Sequence, residues 1–93
     1  DAVTYVSPDA AQWFADHDVS IVGADNPAVE RTALPGKLPP LHEVLLCELG
    51  MYLLEMLTLR EPALAGVTEG LLVVAPLRIT RGVNSPVNPL LIV

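Results

Sequence analysis

Apolar and polar positions fall in short blocks along the chain, and the blocks differ in period. Ala10, Trp13 and Phe14 recur at helical spacing and share one face. Ser7 is placed to cap that helix, Pro8 suits its first position, and Asp9 sits where the dipole favours negative charge. The pattern predicts a helix over 8–17. Val19-Ser-Ile-Val22 follows as a short β-branched strand ended by Gly23. Residues 24–40 have no sustained period and carry Asn26-Pro27, Pro35-Gly36 and Pro39-Pro40, so they read as a loop. A loop of seventeen residues is long for a compact domain and points to a functional or interface role. A second helix is expected over 41–49, with Leu41, Val44, Leu45 and Leu49 on one face and Gly50 to end it. Residues 51–54 read as a buried strand, and 61–65 as one helical turn begun by Pro62 and closed by Gly66. The apolar run 71–77 predicts a strand buried on both faces, 82–86 a turn, and 90–93 a closing strand. This order predicts an α/β fold with a mixed sheet.

Composition sharpens the picture. Ninety-three residues allow one domain with a modest core. The chain is 52% hydrophobic and 17% charged, with a mean hydropathy of +0.48, which excludes intrinsic disorder. So apolar a small chain implies apolar surface meant for a partner, either another copy or a further part of the same protein. Eleven acidic against five basic residues give a net charge of −6. Without a basic cluster the chain is a poor fit to nucleic acid or to an anionic membrane surface. No apolar run is long enough to span a bilayer. The single Cys47 cannot form an internal disulfide, and the expected location is cytoplasmic. The chain opens on Asp1 and has Met only at 51 and 56, which points to a processed product or a part of something longer.

Few residues carry candidate chemistry. His42-Glu43 begins the zinc-protease pattern H-E-x-x-H, but position 46 is Leu, so that reading fails. No G-x-S-x-G elbow and no glycine-rich phosphate loop is present. His17, between Asp16 and Asp18 at a helix C-terminus, is most simply a structural, solvated group. Asp25 stands at a strand end where ligands often bind, but the adjoining Asn26-Pro27 gives a turn-forming explanation. His42 opens a helix, and Glu55 follows an apolar strand directly. A carboxylate there should be at least partly buried and should need a partner: a metal, a histidine or an arginine.

Several blocks together resemble one family. They are Tyr5-Val-Ser-Pro-Asp-Ala-Ala11, Val22-Gly-Ala-Asp-Asn-Pro27, Leu41-His-Glu-Val-Leu-Leu46, Gly50-Met-Tyr-Leu-Leu-Glu55, Ala75-Pro-Leu-Arg-Ile-Thr80 and Asn84-Ser-Pro-Val87. In order and spacing they are similar to the metal-dependent cyclase-like hydrolases, which include bacterial kynurenine formamidase, isatin hydrolase and cyclase-type proteins. The resemblance implies a swivelling β/β/α-type domain and a divalent metal, Zn or Mn. It also implies hydrolysis of an amide, an aryl formamide or cyclic amide, in a small aromatic or cyclic substrate. Members are typically homo-oligomers.

The motif that carries most metal ligands in that family, H-x-G-T-H-x-D-x-P-x-H, is absent from this sequence. The chain therefore looks like the C-terminal portion of such a domain, partnered by an N-terminal portion that holds the motif. By the same resemblance His42 and Glu55 belong to the metal centre, Glu55 either as a ligand or as a group that orients one. Their thirteen-residue spacing and the H-E-x-L-L…G-x-Y-x-L-E form look closer to the isatin-hydrolase-like and cyclase-type branches. This chain alone is not expected to be catalytically competent, since a metal site needs three or more protein ligands. The alternative is a non-catalytic, truncated relative that serves as an assembly or binding module, with the loop at 24–40 as its docking arm.

Overall fold

The computed structural model describes residues 3–31, 35–36 and 39–93. They divide between two compact units, Asp1–Leu59 and Arg60–Val93.

In the first unit, helix α1 covers Ala10–Asp16. Its first turn is held by Ala10 N–H donating to Ser7 O (3.0 Å), and Ser7 Oγ accepts a long bond from Asp9 N–H (3.4 Å). The helix closes where Asp18 takes a left-handed φ of 53° and Val19 N–H donates to Phe14 O. The buried side is Ala11 with Phe14 and Ala15, not the expected Ala10–Trp13–Phe14 face. Trp13 is 57% exposed and lies parallel to the His17 ring at 3.9 Å.

Strands β1 (Ile21–Gly23) and β2 (Tyr52–Leu54) pair in parallel, Val22 opposite Leu53. Between them lies the second helical segment. It starts as α2 (Pro40–His42) and widens after His42 into a π-helical stretch, Glu43–Glu48. Leu49 N–H accordingly donates to Val44 O, five residues back, at 2.9 Å. π-Helical turns are rare and occur disproportionately at functional sites. The segment ends on Gly50 at a φ of 66°, a conformation that glycine adopts without a Cβ clash. Leu41 and Leu45 from this segment, with Ala11, Val22, Val29 and Met51, form the core. Leu49, expected on the same face, is exposed.

In the second unit, α3 (Arg60–Leu64) ends at Gly66, whose φ is 70°. Strands β3 (Leu71–Val73) and β4 (Leu90–Ile92) form an antiparallel ribbon with Leu72 opposite Leu91. The turn lies earlier than the sequence suggests: Arg81 has a φ of 59° and Gly82 N–H donates to Ile79 O. Ser85 Oγ accepts from Leu77 N–H at 2.9 Å and ties the two limbs together. The expectation of a strand buried on both faces is corrected here. Leu71, Leu72 and Val73 are all exposed, and among the described residues β3 pairs with one strand, β4.

Helices and strands are thus combined in a mixed α/β chain. Parallel and antiparallel pairing occur in two separate two-stranded sheets rather than in one mixed sheet.

Candidate functional site

Pro39 and Pro40 open α2, and neither offers a side chain that can cap it. Proline at the first position removes one of the four orphan N–H groups of the helix start, which leaves the next two in need of an acceptor. Glu30 supplies it from the preceding loop. Its Oε2 accepts from Leu41 N–H (2.9 Å) and its Oε1 from His42 N–H (2.7 Å). The carboxylate is 2% exposed and stands at a helix N-terminus, where its negative charge is favoured.

The same Oε1 also accepts from His42 Nδ1, at 2.9 Å. On the opposite edge of the ring, Nε2 lies 3.0 Å from Glu55 Oε1. One imidazole is therefore clasped between a buried carboxylate and one that is 39% exposed. The structure brings His42 and Glu55 together. Glu55, one residue beyond the end of β2, keeps 39% of its side chain exposed and has His42 as its partner.

Burial pushes the His42 pKa down, but the hydrogen bonds to Glu30 and Glu55, and the charge of both carboxylates, outweigh it. The net direction is upward from the ordinary 6.5. The physical reason is plain: the ring can donate from both nitrogens only as the imidazolium.

The backbone that carries the two carboxylates is strained. Val29, fully buried, has a φ of 63°, and Glu30 N–H donates to Ala28 O across it at 2.6 Å. This is a γ-turn in its uncommon positive-φ form, on a β-branched residue. Met56, directly after Glu55, has a φ of 56°. Asn26 joins the two turns. Its Oδ1 accepts from Ala28 N–H, its Nδ2 donates to Thr4 O, and its backbone oxygen accepts from Met56 N–H at 2.9 Å. The Asn26-Pro27 turn is thus real, and Asp25 beside it is exposed. Residues in sparsely populated backbone regions cost about 1–3 kcal/mol each and cluster at functional sites.

His17 is occupied by local structure: its Nδ1 donates to Trp13 O at 2.8 Å. Glu30 is the residue that sequence reasoning missed. The signal for it was the proline pair at a helix start without a cap.

The donor set can be tested against a divalent metal. A neutral His nitrogen and a carboxylate oxygen are ordinary Zn and Mn ligands. Two ligands about 2.1 Å from one ion stand roughly 3.0–3.4 Å apart at octahedral to tetrahedral angles. The 3.0 Å between Nε2 and Oε1 lies at the short edge of that range. Glu30 on Nδ1 is the partner that metal-bound histidines usually have. His42 and Glu55 therefore fit two positions of a metal site. Among the described residues no group of three or more His, Cys, Asp or Glu is arranged to hold a metal ion. An open hollow of about 520 Å³, lined by Tyr5, Val6, Ser7, Pro8, Glu30, Arg31 and Pro40, lies against the Glu30 side.

Compared with known proteins, the chain matches no family model, no curated protein and no solved structure.

Proposed function

We propose that this chain is part of a metal-dependent hydrolase of the cyclase-like type, with a swivelling β/β/α-type domain. The substrate class is an aryl formamide or cyclic amide of a small aromatic or cyclic molecule. The observation that carries the reading is the line Glu30–His42–Glu55, in which a buried carboxylate aims a histidine at a second carboxylate. The ordered sequence blocks that contain His42 and Glu55 support the same reading. The remaining ligands then belong to a further, N-terminal portion of the enzyme, and the proposed assembly is a cytoplasmic homo-oligomer.

When bound, Zn or Mn would supply Lewis acidity, polarising the amide carbonyl and bringing the pKa of a water molecule toward neutrality. His42 would hold the ion through the Nε2 lone pair, with its own proton kept at Nδ1 by Glu30. Glu55 would either bind the ion or accept a proton beside it, and its exposure leaves it in reach of solvent and substrate. Met56 and Val29 hold both carboxylates at fixed backbone angles, which limits reorganisation during the reaction.

The test is hydrolysis of N-aryl formamides and isatin-type cyclic amides by the intact protein, before and after chelation. The expected result is activity that chelator abolishes and Zn or Mn restores. Absence of turnover on both substrate classes in metal-replete protein would overturn the reading. A non-catalytic assembly module is the second reading, favoured by one observation: two converging donors cannot by themselves complete a metal site.

A further inference from the structure

We infer that Glu30 is a positioning residue that fixes His42 as the Nδ1–H tautomer and so presents the Nε2 lone pair toward Glu55. The inference deepens the reading above, since it names the group that makes Nε2 available as a ligand.

The two carboxylates compete for one proton. In a neutral imidazole only one nitrogen carries hydrogen, and here each nitrogen faces a carboxylate oxygen at nearly the same distance, 2.9 Å and 3.0 Å. Distance does not decide between them, but environment does. Glu30 is 2% exposed and Glu55 39%, so the bond to Glu30 forms in a poorer dielectric and is stronger. Water can solvate Glu55 if the ring stops donating to it. Glu30, 2% exposed, has far less access to water.

Glu30 is also the more rigid partner. Both its oxygens are anchored by the Leu41 and His42 N–H groups, and the positive-φ turn at buried Val29 sets the direction from which it arrives. A helix cap alone accounts for the two backbone bonds. It does not account for the third bond, which places Nδ1 of the adjacent ring on the same oxygen that holds the His42 N–H. The ring is thereby tied to its own backbone through one carboxylate oxygen, which fixes its rotation as well as its tautomer.

The experiment is ¹⁵N-histidine NMR on the intact protein, metal-free and above the pKa of His42, together with Zn titration. It compares wild type, Glu30→Gln and Leu41→Ala. The glutamine keeps an acceptor for the helix start but weakens the charge-assisted bond to Nδ1, and Leu41→Ala perturbs the same helix without touching the ring. In wild type the His42 Nδ1 should give a protonated-type shift and Nε2 an unprotonated one. Glu30→Gln should mix the tautomers and weaken Zn binding by about 10- to 100-fold. Leu41→Ala should lower thermal stability while leaving the tautomer unchanged.

An Nε2–H tautomer in wild type would overturn the inference, as would a Glu30→Gln spectrum identical to wild type. So would a Leu41→Ala variant that scrambles the tautomer as strongly as Glu30→Gln, because Glu30 would then act only through the helix. The metal-free spectra decide the role of Glu30 even if the protein binds no Zn, an outcome that would count against the hydrolase reading alone.

Discussion

At the residue scale, the two carboxylates around His42 differ in exposure, and each has a separate consequence. Held between them, the ring binds a proton more tightly in the folded chain than in the unfolded one, so its folded pKa lies above 6.5. The folded state then carries more protons than the unfolded state in the interval between the two pKa values, and stability falls as pH rises there. The contribution is complete below the unfolded value and lost as pH passes through the folded one. In metal-free protein, the stability gap between wild type and His42→Gln should narrow as pH rises from below 6.5 through the raised pKa. Urea denaturation across that interval measures it, and a gap that widens with pH would contradict the assignment.

Met56 offers a second test at this scale. It is exposed and carries a φ of 56°, which costs a non-glycine residue about 1–2 kcal/mol. Met56→Gly should therefore leave stability unchanged or raise it by up to about 1 kcal/mol in the same assay, once the flexibility of glycine is offset.

At the scale of elements, the segment from Pro40 to Gly50 organises the first unit. It contributes Leu41 and Leu45 to the core, ends in a left-handed glycine, and places His42 at the junction between α-helical and π-helical spacing. Leu45 is fully buried, so Leu45→Ala should destabilise the unit by about 2–5 kcal/mol. A Cβ at Gly50 would meet no neighbour within 4 Å. Gly50→Ala should therefore cost only the backbone term, about 1–2 kcal/mol. Equilibrium denaturation distinguishes the two magnitudes.

Much of this element was legible in the sequence. Apolar spacing located the helix, Gly50 located its end, and the pairing of His42 with Glu55 followed from resemblance and from the need of a carboxylate beside an apolar strand. Two things were not. The π-helical widening over Glu43–Glu48 leaves no mark in side-chain periodicity, and it takes Leu49 off the buried face that α-helical spacing assigns it. Glu30 lies in an aperiodic loop eleven and twelve residues from the groups it binds, and no local pattern links a residue to a partner that only the fold brings near. Glu30 is the more deeply buried of the two carboxylates, 2% exposed against 39% for Glu55. Helical spacing likewise groups Trp13 with Ala10 and Phe14, whereas α1 turns the Ala11 side inward and the indole stacks on His17.

At the scale of the whole molecule, the composition and the structure point the same way. A chain that is 52% hydrophobic keeps a core of few residues, and the ribbon of β3 and β4 presents leucine, valine and isoleucine on both faces. A continuous apolar run predicts burial on both sides because such strands usually lie inside larger sheets. The sequence carries the composition of an inner strand, while these residues alone supply one neighbour.

Among the described residues the candidate site brings together two donors, His42 and Glu55, and a metal site needs three or more. The central claim is that His42 and Glu55 hold a divalent metal in the intact protein. Its most direct test is the stoichiometry and affinity of Zn and Mn, measured by elemental analysis and competition with a chromophoric chelator, for wild type, His42→Ala and Glu55→Ala. Wild type should hold bound metal, and His42→Ala should bind it at least about 10-fold more weakly. A smaller loss is expected for Glu55→Ala if that side chain orients rather than ligates. Wild type without metal, or His42→Ala binding as tightly as wild type, would contradict it.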